Sequence, residues 1–228
     1  MRILIGSFLA ALTAAPAVAG ELYGTVQVDS SFYAEATVRS ASTARIAHRV
    51  ALSPVAQRPP AGLVVVLESD AFSHDKFDKP AQPLHIDLGP FGFDPPLSAV
   101  QAGTTLEIEN HLERAVHLKV EGVTFDALAP KAKTAQVLDK PGRLFVQDAD
   151  EPLHSTTAIV APSIYVVQLD DTGEFLFDEL AAGDYRVRLY GYDPLFSAVG
   201  ELATGLARVD ASGRTTVKLT LPREEKKQ

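Results

Sequence analysis

Apolar residues in this chain come in short bursts bounded by Gly, Pro and Asp, and no burst holds a convincing helical repeat over ten or more residues. Such segments, rich in β-branched residues and alternating apolar with polar, form half-buried strands, because successive side chains of an extended backbone point to opposite faces. Tyr23 to Val28, Thr105 to Glu109, Arg143 to Val146, Thr157 to Val160, Tyr165 to Leu169, Phe175 to Phe177, Tyr185 to Tyr190, Leu206 to Val209 and Thr216 to Leu221 read in this way. Leu106 and Ile108 share one face, with Glu107 and Glu109 on the other. Val116, Leu118 and Val120 repeat the pattern and place His117 and Lys119 on the opposite face. Leu63 to Leu67 is apolar without interruption, the pattern of a strand covered on both faces. Ala41 to Val50 has room for a turn or two of helix. The spacing predicts an all-β chain of sandwiches or barrels.

The N-terminus reads as an export signal. Met1-Arg2 is basic, Ile3 to Leu12 is apolar, and Ala17-Val18-Ala19 fits a small-x-small cleavage pattern, so residues 1–19 are expected to be removed before Gly20. The apolar run is too short for a membrane anchor, and no later segment reaches spanning length. The expected location is the periplasm or the cell exterior, with no membrane insertion after cleavage. Sulfur is the next constraint: there is no cysteine, and the one methionine is Met1. Disulfides are therefore excluded in a compartment that permits them, and stability must come from apolar burial. The balance of 29 Asp+Glu against 21 Lys+Arg argues against a nucleic-acid or anionic-membrane partner. Ser69 to Pro83 and the Pro/Gly/Phe-rich Gly89 to Pro96 read as irregular, and residues 223–228 as a polar tail.

Several short motifs occur in a telling order. Phe93-Asp94-Pro95 is followed by Gly103-Thr104, then Glu109-Asn110 and His117, then Lys140-Pro141-Gly142, then Glu151-Pro152-Leu153-His154 leading into Thr157 to Val160. This order resembles the cupredoxins, in particular the exported cupredoxin-like proteins of the methylamine utilization type. Asp171-Thr172-Gly173-Glu174-Phe175 and Leu180-Ala181-Ala182-Gly183-Asp184-Tyr185 resemble a carboxypeptidase-regulatory or transthyretin-like sandwich. The resemblance implies a cupredoxin-like Greek-key sandwich, residues 81–162, set in or next to a second sandwich. The second sandwich would take early strands from 20–80 and late strands from 163–222.

The same resemblance locates a metal centre and removes its chemistry. A blue-copper site needs a cysteine thiolate, two histidines and usually an axial methionine. Here Asp148 stands at the position matching the cysteine, Glu151 at the second histidine and His154 at the methionine, while His117 matches the first histidine. Type 1 copper, thiolate-bridged copper, iron–sulfur clusters and covalently attached c-type haem are excluded by composition. Two readings remain. In one, His117, His154, Asp148 and Glu151 hold one divalent metal, copper or zinc, with Asp150 and His111 as additional nearby donors. In the other, the residues are a solvated acidic loop and a strand-face histidine, and the protein is a metal-free structural or interaction module with an envelope partner that the sequence does not identify. His48, His74 and His85 read as surface or loop histidines. Hydrolase elbows, zinc-protease helices, phosphate loops and dinucleotide fingerprints are missing, so no catalytic residue is assigned and no enzyme is expected.

Overall fold

A computed structural model of the chain describes residues 19–29, 60, 62–70, 72, 80, 82–121, 123–193 and 198–221. The export signal, Ala41 to Val50, most of the Ser69 to Pro83 stretch and the polar tail lie outside the described residues.

Among the described residues there is no helix, and therefore none long and apolar enough to cross a membrane. The chain is all-β, as its spacing predicts. Strands β1 (Gly20–Val28) and β2 (Val64–Glu68) come first. Then follow β3 (Leu84–Gly89), β4 (Gly92–Asp94), β5 (Leu97–Gln101), β6 (Thr104–Asn110), β7 (Val116–Val120), β8 (Val123–Leu128), β9 (Lys133–Leu138), β10 (Gly142–Asp148) and β11 (Ser155–Ala161). The last are β12 (Val166–Gln168), β13 (Glu174–Leu180), β14 (Gly183–Asp193), β15 (Ala198–Val209) and β16 (Arg214–Leu221).

These strands form four sheets, ordered β13-β1-β16, β12-β2-β14-β15, β4-β3-β6-β9 and β5-β11-β10-β7-β8. The chain leaves one pair of sheets after β2, builds a second pair from β3 to β11, and returns at β12, which pairs with β2. In the second pair, the connections β6 to β7, β8 to β9 and β9 to β10 cross between sheets, giving a Greek-key sandwich.

Each sandwich has its own core. Leu22, Val65, Leu67, Phe175, Phe177, Tyr185, Val187 and Leu189 fill the first. There the Tyr185 hydroxyl donates to the Ala181 carbonyl at 2.7 Å, which satisfies the one polar atom of a buried ring. Ile86, Leu88, Phe93, Leu106, Ile108, Leu118, Val146 and Val160 fill the second. A third cluster, Val64 and Val66 with Leu97, Ile159 and Ala161, joins the two sandwiches face to face. The uninterrupted run at β2 is thereby explained: Val65 and Leu67 enter the first core while Val64 and Val66 enter the joint. β11 does the same from the other side, with Ala158 and Val160 in the second core and Ile159 and Ala161 in the joint. Burying each such Val or Ile contributes roughly 1.5–3 kcal/mol, so the joint is a continuous apolar contact, not a linker.

Two sequence expectations need correction. Gly89 to Pro96 is not irregular throughout: β3 and β4 form a tight hairpin that turns at Pro90-Phe91, and Gly92, which receives the chain after the turn, has a φ of 106° that suits glycine. β15 also extends well before Leu206, pairing with β14 from Ala198 onwards.

Candidate functional site

The sequence-predicted residues gather at one end of the second sandwich, where β6, β7, β10 and β11 begin or end. Asn110, fully buried at the end of β6, organises the loop that follows. Its Nδ2 donates to the carbonyls of Arg114 and Leu128, each at 2.9 Å, and of Ala129 at 3.2 Å, while its Oδ1 accepts from the Leu112 amide at 2.9 Å. The loop between β10 and β11 is closed by backbone bonds from Asp148 to the His154 carbonyl (3.0 Å), from Ala149 to the His117 carbonyl (2.8 Å) and from His154 to the Glu151 carbonyl (2.8 Å).

At the centre sits a residue that the sequence reading did not single out. Arg114 Nη2 lies 2.6 Å from Asp148 Oδ2 and 3.1 Å from Glu151 Oε1, and its Nη1 lies 3.7 Å from Asp150 Oδ2. Asp148 has no solvent exposure, and its other oxygen accepts the Asp150 amide at 2.9 Å. The hydrogen bond that Arg114 donates to Asp148, with a further contribution from Glu151, raises the Arg114 pKa above its ordinary value, and a guanidinium is a permanent cation in any case.

The two histidines have different carboxylate partners. His117 is half exposed, with Nδ1 3.2 Å from Asp150 Oδ2. His154 is mostly buried, with its ring against the open face of Gly92. Its Nδ1 lies 3.4 Å from Glu151 Oε2, an ion-pair distance whose alignment makes no hydrogen bond, so that nitrogen is buried without one. The structure thus brings Asp148, Asp150 and Glu151 around Arg114, with His154 beside Glu151 and His117 reached through Asp150. No three of His117, Asp148, Glu151 and His154 place donor atoms within 4.8 Å of one another; among the described residues only Asp87, Glu109 and His111 do so. A copper centre of the cupredoxin kind does not fit these residues: the thiolate is missing and two of the carboxylates already share a guanidinium.

His111, an additional donor in the sequence reading, belongs to that other group on the outer face of the β4-β3-β6-β9 sheet. Asp87 escaped notice because β3 did, although the alternation of Leu84, Ile86 and Leu88 carries the signal of that strand.

No protein-family model matches the chain, and no curated protein matches it. Several solved structures do. A copper(I) form of an amicyanin variant aligns at 12% identity over 42% of this chain and 97% of its own, with a TM-score of 0.33. A purple cupredoxin from Nitrosopumilus maritimus aligns at 13% identity over 34% of this chain and 98% of its own, with a TM-score of 0.31. A copper-containing nitrite reductase from Thermus scotoductus aligns at 19% identity over 35% of this chain and 22% of its own, also with a TM-score of 0.31.

Proposed function

We propose that this chain is an exported, cupredoxin-like module of the cell envelope that carries no electrons and acts through protein contacts. The observation that carries this reading is the position of Arg114. Its guanidinium pairs with Asp148 and Glu151, the residues that match two family ligand positions. A metal at those positions would have to take Asp148 and Glu151 from a guanidinium that already contacts them at 2.6 and 3.1 Å. The lack of any cysteine removes blue-copper electron transfer independently. The export pattern at residues 1–19 supports an envelope location, and the regulatory-like motifs of the first sandwich suit a scaffolding unit by analogy of fold.

A second reading keeps a divalent copper or zinc ion on His117, His154, Asp148 and Glu151, and the buried His154 Nδ1 without a hydrogen bond favours it. Titration with Zn(II) and Cu(II) of the parent and of a His117→Ala/His154→Ala double variant separates the two. The proposed reading expects the same uptake in both proteins. Loss of a stoichiometric ion in the double variant overturns it. Its interaction half expects a partner cross-linked in the native envelope in the presence of chelator, and a strictly monomeric, partnerless chain there would sink that half.

A further inference from the structure

We infer that Asp87, Glu109 and His111 form a divalent transition-metal site on the outer face of the β4-β3-β6-β9 sheet. This goes beyond the proposed function and does not depend on it.

The backbone sets the arrangement. β3 and β6 pair in parallel, with His85 opposite Glu107 and Asp87 opposite Glu109. The His111 amide donates to the Leu88 carbonyl at 2.9 Å, extending the ladder one step past β6. His111 therefore rises from the same face as Glu109, two residues earlier. His111 Nε2 lies 3.0 Å from Asp87 Oδ1 and 3.8 Å from Glu109 Oε2, and one donor atom from each of the three residues fits within 4.8 Å. Metal bonds of about 2.0–2.2 Å put neighbouring donors about 3–3.5 Å apart, so shifts on the order of an ångström would complete three sides of a coordination shell. The remaining positions face solvent, which also gives an ion its path in.

The charge balance points to a cation independently of that geometry. Asp87, Glu107 and Glu109 stand side by side on adjacent strands, and like charges directly opposite one another destabilise a sheet. Among the described residues, a fixed positive charge answers them at Lys133 of β9, whose Nζ lies 2.8 Å from Glu109 Oε2. His85 Nδ1 lies 3.1 Å from Glu107 Oε2, so a ring nitrogen is drawn to that carboxylate too. One imidazole with two carboxylates is a borderline donor set suited to Zn(II) or Cu(II), whereas Mg(II) and Ca(II) prefer oxygen throughout. Lys133 and the metal would compete for the same Glu109 oxygen.

That competition gives the test its sign. Calorimetric titration of Zn(II) into the exported chain, in a buffer that does not chelate, should show one bound ion. His111→Ala should weaken binding at least about tenfold, since even groups that only orient a metal ligand cost that much. Lys133→Met should tighten binding, because it removes the competing cation. No Zn(II) binding by the parent, or His111→Ala binding as the parent does, would overturn the inference. Binding lost in His117→Ala/His154→Ala but kept in His111→Ala would overturn both this inference and the proposed closure of the loop end. Absence of binding altogether would leave that closure standing.

Discussion

Replacing Arg114 by methionine tests the charge cluster most directly. The substitution keeps an unbranched, flexible side chain and removes the cation that faces buried Asp148. Breaking a fully buried ion pair from one side costs about 3–5 kcal/mol, because a charge is left uncompensated. Here Arg114 is 36% exposed and Glu151 53% exposed, so water recovers part of that loss, and about 2–3 kcal/mol is expected. Adding Asp148→Asn to Arg114→Met should restore at least about 1 kcal/mol, because a neutral amide no longer needs the guanidinium. Urea unfolding by far-ultraviolet circular dichroism reads the change. Tyrosine emission gives a built-in comparison, since Tyr23, Tyr33, Tyr165, Tyr185, Tyr190 and Tyr192 all lie outside residues 84–161. The loss should therefore appear first in the dichroism. An Arg114→Met variant within about 0.5 kcal/mol of the parent, the scatter of ordinary surface changes, would refute the reasoning. So would strictly additive effects of the two substitutions.

Asn110→Ala should cost about 2–3 kcal/mol, because the buried amide satisfies three carbonyls and one backbone N–H at once; a loss below about 1 kcal/mol in urea would contradict that role. Asp170 is held below the ordinary carboxylate range by the Thr172 hydroxyl first and the Thr172 amide second, at 2.5 and 2.9 Å. A depressed carboxyl contributes stability above its unfolded pKa and loses it as pH falls through the folded value. Thr172→Val should therefore move the Asp170 titration upward, seen by carboxyl carbon NMR, and an unmoved midpoint would rule out the hydroxyl as its main cause.

Strands with one wet face were legible in the sequence because alternation is the direct imprint of a half-buried sheet. Thr104–Asn110 and Val116–Val120 show it cleanly, with buried and less buried residues in strict turn. Val123–Leu128 and Lys133–Leu138 do not: apart from the final leucine, every residue of each strand is exposed, so these edge strands leave no apolar period to read. At the candidate site, the resemblance marked His117, Asp148, Glu151 and His154, residues that share one end of the sandwich. It could not mark Arg114, because its partner Asp148 lies 34 positions away and only the fold makes them neighbours. The Asp87–Glu109 pairing was hidden for a related reason, since a parallel register between β3 and β6 has no sequence signature of its own.

The buried carboxylate and the missing thiolate are two sides of one physical problem. A metal ion in this loop would neutralise whatever anionic ligands surround it. Without the metal, a carboxylate as buried as Asp148 is unstable unless a cation replaces the ion's charge. Lysine would supply a point charge whose pKa drops readily on burial. Arginine stays charged and presents several donors in a planar fork, and here one guanidinium bridges Asp148 and Glu151 while the Asp148 side chain also caps the Asp150 amide. The loop between β10 and β11 is therefore held by fixed protein charge. Chelators should leave its stability unchanged, whereas loss of Arg114 should not.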